Sequence, residues 1–167
     1  AIHLKRHLSK TTNYSAIYGV GAFKLSKTLG IPQKDADNII KAFWKRNWSI
    51  LKFSSEQTVK KIGDQMWVLN PVSRFWYSLR FEKDIFSTLN QSTGVYCFDL
   101  WIQEILKIRD SLVAQFHDEI ILCVKKGNRE RCEKLLRHAL KLAEKRLSLS
   151  RELDIDVQFG NSYAEIH

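Results

Sequence analysis

Arg6, Lys10, Tyr14 and Tyr18 follow one another at four-residue intervals. In an α-helix that step advances ~6 Å and overshoots a full turn by only ~40°, so the four side chains form one ladder about 18 Å long. Two cations one turn apart suit the phosphates of a nucleoside triphosphate, Arg as a fork and Lys as a point charge, while an aromatic ring one turn further meets base and sugar. An amphipathic helix with solvated cations and core tyrosines shares the spacing; the ordered run of four, closed by Tyr18-Gly19, favours the phosphate ladder. Two look-alikes fail. Ser9-Lys10-Thr11 lacks both glycines of a phosphate-binding loop, and Gly19-Val20-Gly21 has neither a third glycine nor a preceding strand.

A second group, His117-Asp118-Glu119, separates two β-rich apolar runs. Hairpin tips usually take Gly, Asn or Pro, whereas here an imidazole and two carboxylates stand at the end of rigid elements. Adjacent carboxylates can hold a hard divalent cation such as Mg²⁺, which prefers oxygen ligands and is commonly shared with substrate phosphates. A solvent-exposed acidic turn has the same composition, and both readings stand on these residues alone.

The elements that must position these groups belong to a globular chain: 167 residues, 44% hydrophobic and 27% charged, with seven Gly and two Pro. That length fits one domain and makes a disordered tail unexpected, and the composition excludes a collagenous or low-complexity chain. The longest clean apolar run, Ile120 to Val124, is far below the ~20 residues of a membrane span, and the N-terminus lacks the apolar core of a signal peptide, so a cytoplasmic protein is expected. Cys97, Cys123 and Cys132 have no Cys-x-x-Cys spacing and read as buried thiols rather than a disulfide or zinc site. The charge is asymmetric. Residues 1–61 hold twelve Lys/Arg against three acids (Asp35, Asp37, Glu56), which already equals the +9 of the whole chain. A neutral body with a basic front third points to a polyanionic partner, unless the surface is basic only for solubility.

Periodicity predicts helices from Ile2 to about Gly19, from Ala22 to Leu29, and from Pro32, in a first turn, through to about Ile62. Met66–Leu69 and Phe75–Tyr77 read as paired extended segments around Asn70-Pro71. A long helix is expected from about Glu82 to Lys107, then strands Leu112–Phe116 and Ile120–Val124, a basic helix from Asn128 to about Leu147, and a final strand from Asp154 to Phe159. The fold class is α+β, helices in front and a hairpin with flanking helices behind.

Together these stretches resemble the C-terminal part of a family A, polymerase I-like DNA polymerase. Arg6-x-x-x-Lys10-x-x-x-Tyr14-x-x-x-Tyr18-Gly19 is similar to motif B on the fingers helix, and His117-Asp118-Glu119 to motif C of the palm. Between them Ser87-Thr88-Leu89-Asn90-Gln91-Ser92-Thr93-Gly94 is similar to the palm-helix segment whose glutamine lies by the template-primer minor groove. The resemblance covers the whole chain and divides it into a fingers portion, 1–81, and a palm portion, 82–167.

The resemblance implies that Arg6 and Lys10 grip the triphosphate, Tyr14 stacks at the incoming nucleotide, and Tyr18 sits at the template position. It implies that Gln91 and His117 contact DNA, that Asp118 is a carboxylate shared by two Mg²⁺ ions, and that Glu119 supports it; Lys10, Asp118 and Glu119 form the catalytic set. Primer-template DNA and deoxynucleoside triphosphates are the expected partners, with no membrane. Two positions depart from the family pattern: Ser87 stands where Asn is common, and Lys83 replaces a usual Arg, keeping charge but losing the fork. Motif A and its aspartate are not found. Asp99 and Asp110 are the nearest spare acids, and neither has a motif A context. The chain is therefore expected to be a C-terminal piece, inactive alone, that needs an N-terminal segment or chain carrying motif A. A non-catalytic DNA-binding or interaction module built on a polymerase fold is the rival reading.

Overall fold

The computed structural model describes residues 2–108 and 112–166, with backbone only for residues 2–5 and 7. The chain is α+β and divides into two compact units, residues 1–92 and 93–167.

The first unit begins with three helices, α1 (Ile2–Ile17), α2 (Ala22–Leu29) and α3 (Gln33–Arg46). Gly19 ends α1. At φ 67° it adopts the left-handed conformation, its N–H donates to the Ala16 carbonyl and the Val20 N–H to that of Ser15. This is the paired-bond cap that glycine allows at least cost. Pro32 lies one residue ahead of α3, in extended geometry, rather than in its first turn.

The helix expected through to Ile62 is interrupted twice. Asn47 ends α3 by turning its side-chain amide onto the Phe43 carbonyl (2.8 Å), a local bond that competes with helix continuation. A short α4 (Trp48–Ser55) follows, and residues 59–62 are a strand. Val59-Lys60-Lys61-Ile62 folds back through Gly63-Asp64, with Gly63 at φ 58°, onto the next run. Glycine at the first position of a two-residue loop is a hairpin signal that overrides weak helical spacing. The result is an antiparallel sheet of β1 (Val59–Ile62), β2 (Gln65–Leu69) and β3 (Trp76–Leu79) in that order. One face buries Val68 and Leu79 against Ile85 and Leu89 at the start of α5 (Ile85–Ile108).

Asn70 fixes the β2–β3 connection to α5. It is fully buried, donates from Nδ2 to Ser92 Oγ (2.8 Å), and accepts at Oδ1 from the N–H groups of Val72 (2.8 Å) and Ser73 (3.2 Å).

In the second unit, β4 (Leu112–Phe116) and β5 (Glu119–Leu122) form an antiparallel hairpin. It is followed by α6 (Arg129–Leu147). Leu100, Trp101 and Ile105 of α5 pack with Cys132, Leu136, Ala139, Leu140 and Ala143 of α6, the i, i+3, i+4, i+7 stripe of an amphipathic helix. The Trp101 indole N–H donates to the Leu136 carbonyl (3.1 Å). Glu104, buried in this unit, receives Lys107 (2.8 Å) and Arg146 (2.7 Å), and hydrogen bonds from these two, Lys107 foremost, hold its carboxyl below the usual range.

Residues 154–159 are extended but not a strand, contrary to expectation. They are held by side chains of α6 instead of a ladder: Arg137 pairs with Asp154, and Glu144 accepts the Leu153 N–H. Of the cysteines, Cys132 is buried, Cys97 half-buried and Cys123 exposed, so burial of all three is not observed. No helix among the described residues is long and apolar enough to cross a membrane.

Candidate functional site

The ladder forms on an exposed helix. Arg6 and Lys10 are exposed, and Tyr14 and Tyr18 are 55% and 47% exposed, so neither tyrosine is a core residue. Lys10 Nζ lies 5.8 Å from the centre of the Tyr14 ring. Tyr18 falls just beyond α1, although its N–H still bonds the Tyr14 carbonyl (3.0 Å) and so keeps the ladder's register.

Two residues far along the chain hold the end of that helix. Gln91 Nε2 donates to the Tyr18 hydroxyl at 2.6 Å, joining the two aromatic-site and minor-groove candidates directly. Lys83 Nζ donates to the Gly19 carbonyl at 3.3 Å. A cation at a helix C-terminus meets unsatisfied carbonyls and the negative end of the dipole. The same lysine lies so near that a Cβ at Gly19 would come within 3.0 Å of Lys83 Cδ. Sequence reasoning noticed Lys83 only as a lost guanidinium fork; nothing in its spacing reveals this capping contact. Ser87 is buried and donates to the Asp84 carbonyl (3.0 Å), in the turn just ahead of α5.

In the second unit the tip of the hairpin is shorter than expected. Phe116 pairs with Glu119, so Glu119 belongs to β5 and only His117 and Asp118 form the loop. A two-residue hairpin needs positive φ, which His117 supplies at 44°. His117 and Asp118 are exposed and Glu119 half-buried.

Asp118 and Glu119 open onto a groove of about 1190 Å³, bounded by β5 on one side and residues 154–163 on the other. Trp101, Cys132 and Leu136 lie among its walls, and Asp154 and Asp156 add two carboxylates that sequence reasoning did not single out. Hard oxygen donors at an exposed tip fit part of a magnesium site. No cluster of three or more His, Cys, Asp or Glu capable of holding a metal occurs among the described residues. Asp99 is exposed on α5, and Asp110 lies outside the described residues.

The family model for DNA polymerase family A matches residues 2–93, from α1 through Gln91. The chain belongs to DNA polymerase family A. Among individual proteins it is 28% identical to DNA polymerase I of Treponema pallidum (strain Nichols) over 178 residues, 97% of this chain and 18% of the relative. It is 24% identical to DNA polymerase I of Lactococcus lactis subsp. lactis over 177 residues, 96% of this chain and 20% of the relative. A shorter stretch of 46 residues is 46% identical to DNA polymerase I of Helicobacter pylori, covering 28% of this chain and 5% of the relative. The chain spans about a fifth of the length of the curated relatives that it matches end to end.

Proposed function

We propose that this chain supplies the nucleotide-gripping helix and one metal carboxylate of a template-directed DNA polymerase that extends a primer 3′ end by two-metal phosphoryl transfer. The carrying observation is the exposed ladder of Arg6, Lys10 and Tyr14, whose far end, Tyr18, is held by Gln91. Solvated phosphates are best met by cations that are not already paired in the protein. Arg6 and Lys10 would take the triphosphate, Tyr14 the sugar and base, and Tyr18 the template side of the new pair, with Gln91 and His117 on the DNA. Mg²⁺, when bound, would neutralise the phosphates and activate the primer hydroxyl. Asp118 would hold it, with Glu119 as support. The division of labour would follow the fingers and palm of the family, residues 1–81 and 82–167.

A partner segment carrying the second aspartate completes this reading. Its support is the groove beside Asp118. One strand of five residues fills about 800 Å³ at ordinary spacings, ~3.3 Å per residue, ~4.8 Å between strands and ~10 Å between layers. The groove is therefore large enough to receive an extended segment.

Primer extension decides the matter. The chain alone should give no Mg²⁺-dependent incorporation, and the chain joined to a motif A segment should give template-directed incorporation. Robust extension by the isolated chain would overturn the need for a partner, and no extension by the joined protein would overturn the catalytic reading in favour of a non-catalytic DNA-binding module.

A further inference from the structure

The first unit has a second surface with the chemistry of nucleic-acid contact, the side of the three-stranded sheet that faces away from Val68 and Leu79. Strand alternation puts Lys60 and Ile62 of β1, Trp67 and Leu69 of β2, and Trp76 and Ser78 of β3 on that side. None of these is buried. A structural sheet of this size would normally turn one face to the core and a polar face to water. Here the outward face carries two tryptophans and two aliphatic side chains, with Ile62 59% exposed.

The aromatic groups are ordered. Leu69 pairs with Trp76 and Trp67 with Ser78, so the tryptophans are diagonal neighbours, about 7–8 Å apart in such a register. Lys60 Nζ stands 3.8 Å from the centre of the Trp76 ring, which puts a cation over an indole face. Phe75, 60% exposed, precedes β3. The charge of this stretch is predominantly positive, although Lys61, in register with Met66 and Leu79, belongs to the opposite face. Residues 57–81 contain Lys60, Lys61, Arg74 and Arg80, all exposed, against the single acid Asp64.

We propose that the outward face of β1–β3 is a stacking platform for single-stranded nucleic acid, and that in the polymerase reading above, on which this assignment rests, it takes unpaired template. The chemistry selects the ligand class. Aromatic faces beside cations bind unstacked bases and their phosphates together. Duplex bases present only their edges, since each face is covered by the next pair, and a flat aromatic sheet gains little from them. An acidic protein would satisfy the lysines but would leave the tryptophan faces without a ring to meet.

The test is fluorescence anisotropy of a labelled oligothymidylate with the full chain, a blunt duplex of equal length serving as comparison. Trp76→Ala should weaken oligothymidylate binding by about fivefold or more. Because that change also removes packing, Lys60→Glu and Ser78→Glu are measured beside it; both positions are exposed, and both changes put a carboxylate on the platform. Each should weaken single-strand binding severalfold, with a smaller effect on the duplex. Oligothymidylate should also quench tryptophan emission, and Trp76→Ala should reduce that quenching. Affinities of both glutamate variants within twofold of the parent would overturn the platform, as would equal losses for single strand and duplex, which would mark plain electrostatic attraction. Binding is read without turnover, so its failure and a failure of primer extension remain separate results.

Discussion

The Gln91 amide and the Tyr18 hydroxyl meet at 2.6 Å although 73 residues separate them. The bond ties the first turn beyond α1 to α5, so the orientation of Tyr18 is set by a residue on another helix. A hydrogen bond at this exposed place has a modest expected value. In a double-mutant cycle of Gln91→Ala and Tyr18→Phe, the coupling in unfolding free energy should be about 0.5–1 kcal/mol. Additive losses in denaturant titrations would show that the contact contributes nothing.

Deficits at the two candidate groups, one in each unit, should differ in kind. In the partner-completed enzyme, Arg6→Ala and Lys10→Ala should raise the KM for nucleotide, Lys10→Ala also lowering kcat. Asp118→Ala should abolish turnover while primer-template affinity stays near that of the parent, because a metal carboxylate acts in the transition state and not in DNA binding. Steady-state kinetics with an anisotropy measurement of DNA binding check both; near-normal turnover of Asp118→Ala would remove the metal assignment.

In the proposed reading, the exposed Tyr14 ring carries its hydroxyl at the position that the motif B resemblance gives as either Phe or Tyr in family A enzymes. If that hydroxyl stands in for the hydrogen bonding of the substrate's 3′-OH, dideoxynucleotides should be incorporated almost as readily as deoxynucleotides. Tyr14→Phe should then restore strong discrimination, since a closed site penalises a missing polar partner. Single-nucleotide competition measures this directly, and equal selectivity in parent and variant would reduce Tyr14 to stacking.

Asn70→Ala should be among the most destabilising single changes in the first unit. It removes bonds to Ser92, Val72 and Ser73 at a fully buried site and strands their polar atoms. A loss of about 3 kcal/mol is expected from urea denaturation.

Glu104 makes an acid-sensitive contribution. Lys107 and Arg146 hold its folded pKa below the unfolded value, so the stabilisation is complete above the unfolded value of ~4.3 and is lost as pH falls through the folded one. The gap in Tm between the parent and Glu104→Gln should therefore be widest near neutrality and narrow on acidification. A gap independent of pH would contradict the ion-pair origin.

What could be read from the sequence was whatever local periodicity or a fixed motif encodes. The bounds of α2, the four-residue spacing along α1 and the pairing of the two apolar runs around His117 and Asp118 follow from spacing, although the tip is one residue shorter than expected and lacks the usual turn residues. The misreadings came where a local rule was outvoted or had no local expression. Gly63-Asp64 outweighed a marginal helical pattern and made β1 a strand. Residues 154–159 have the alternation of a strand, but a strand is defined by its neighbour, and the side chains of α6 hold this segment without one. Contacts such as Lys83 with Gly19 or Gln91 with Tyr18 arise only when distant segments meet.

His117 holds the hairpin tip in a backbone conformation that an L-residue with a β-carbon visits reluctantly, at a cost of roughly 1–2 kcal/mol. Glycine would relieve it. A library screened for thermal tolerance should therefore enrich His117→Gly, and a library screened for DNA synthesis should reject it if the imidazole meets the primer. The tip of this hairpin is where selection for a sturdier protein and selection for a working one should pull in opposite directions.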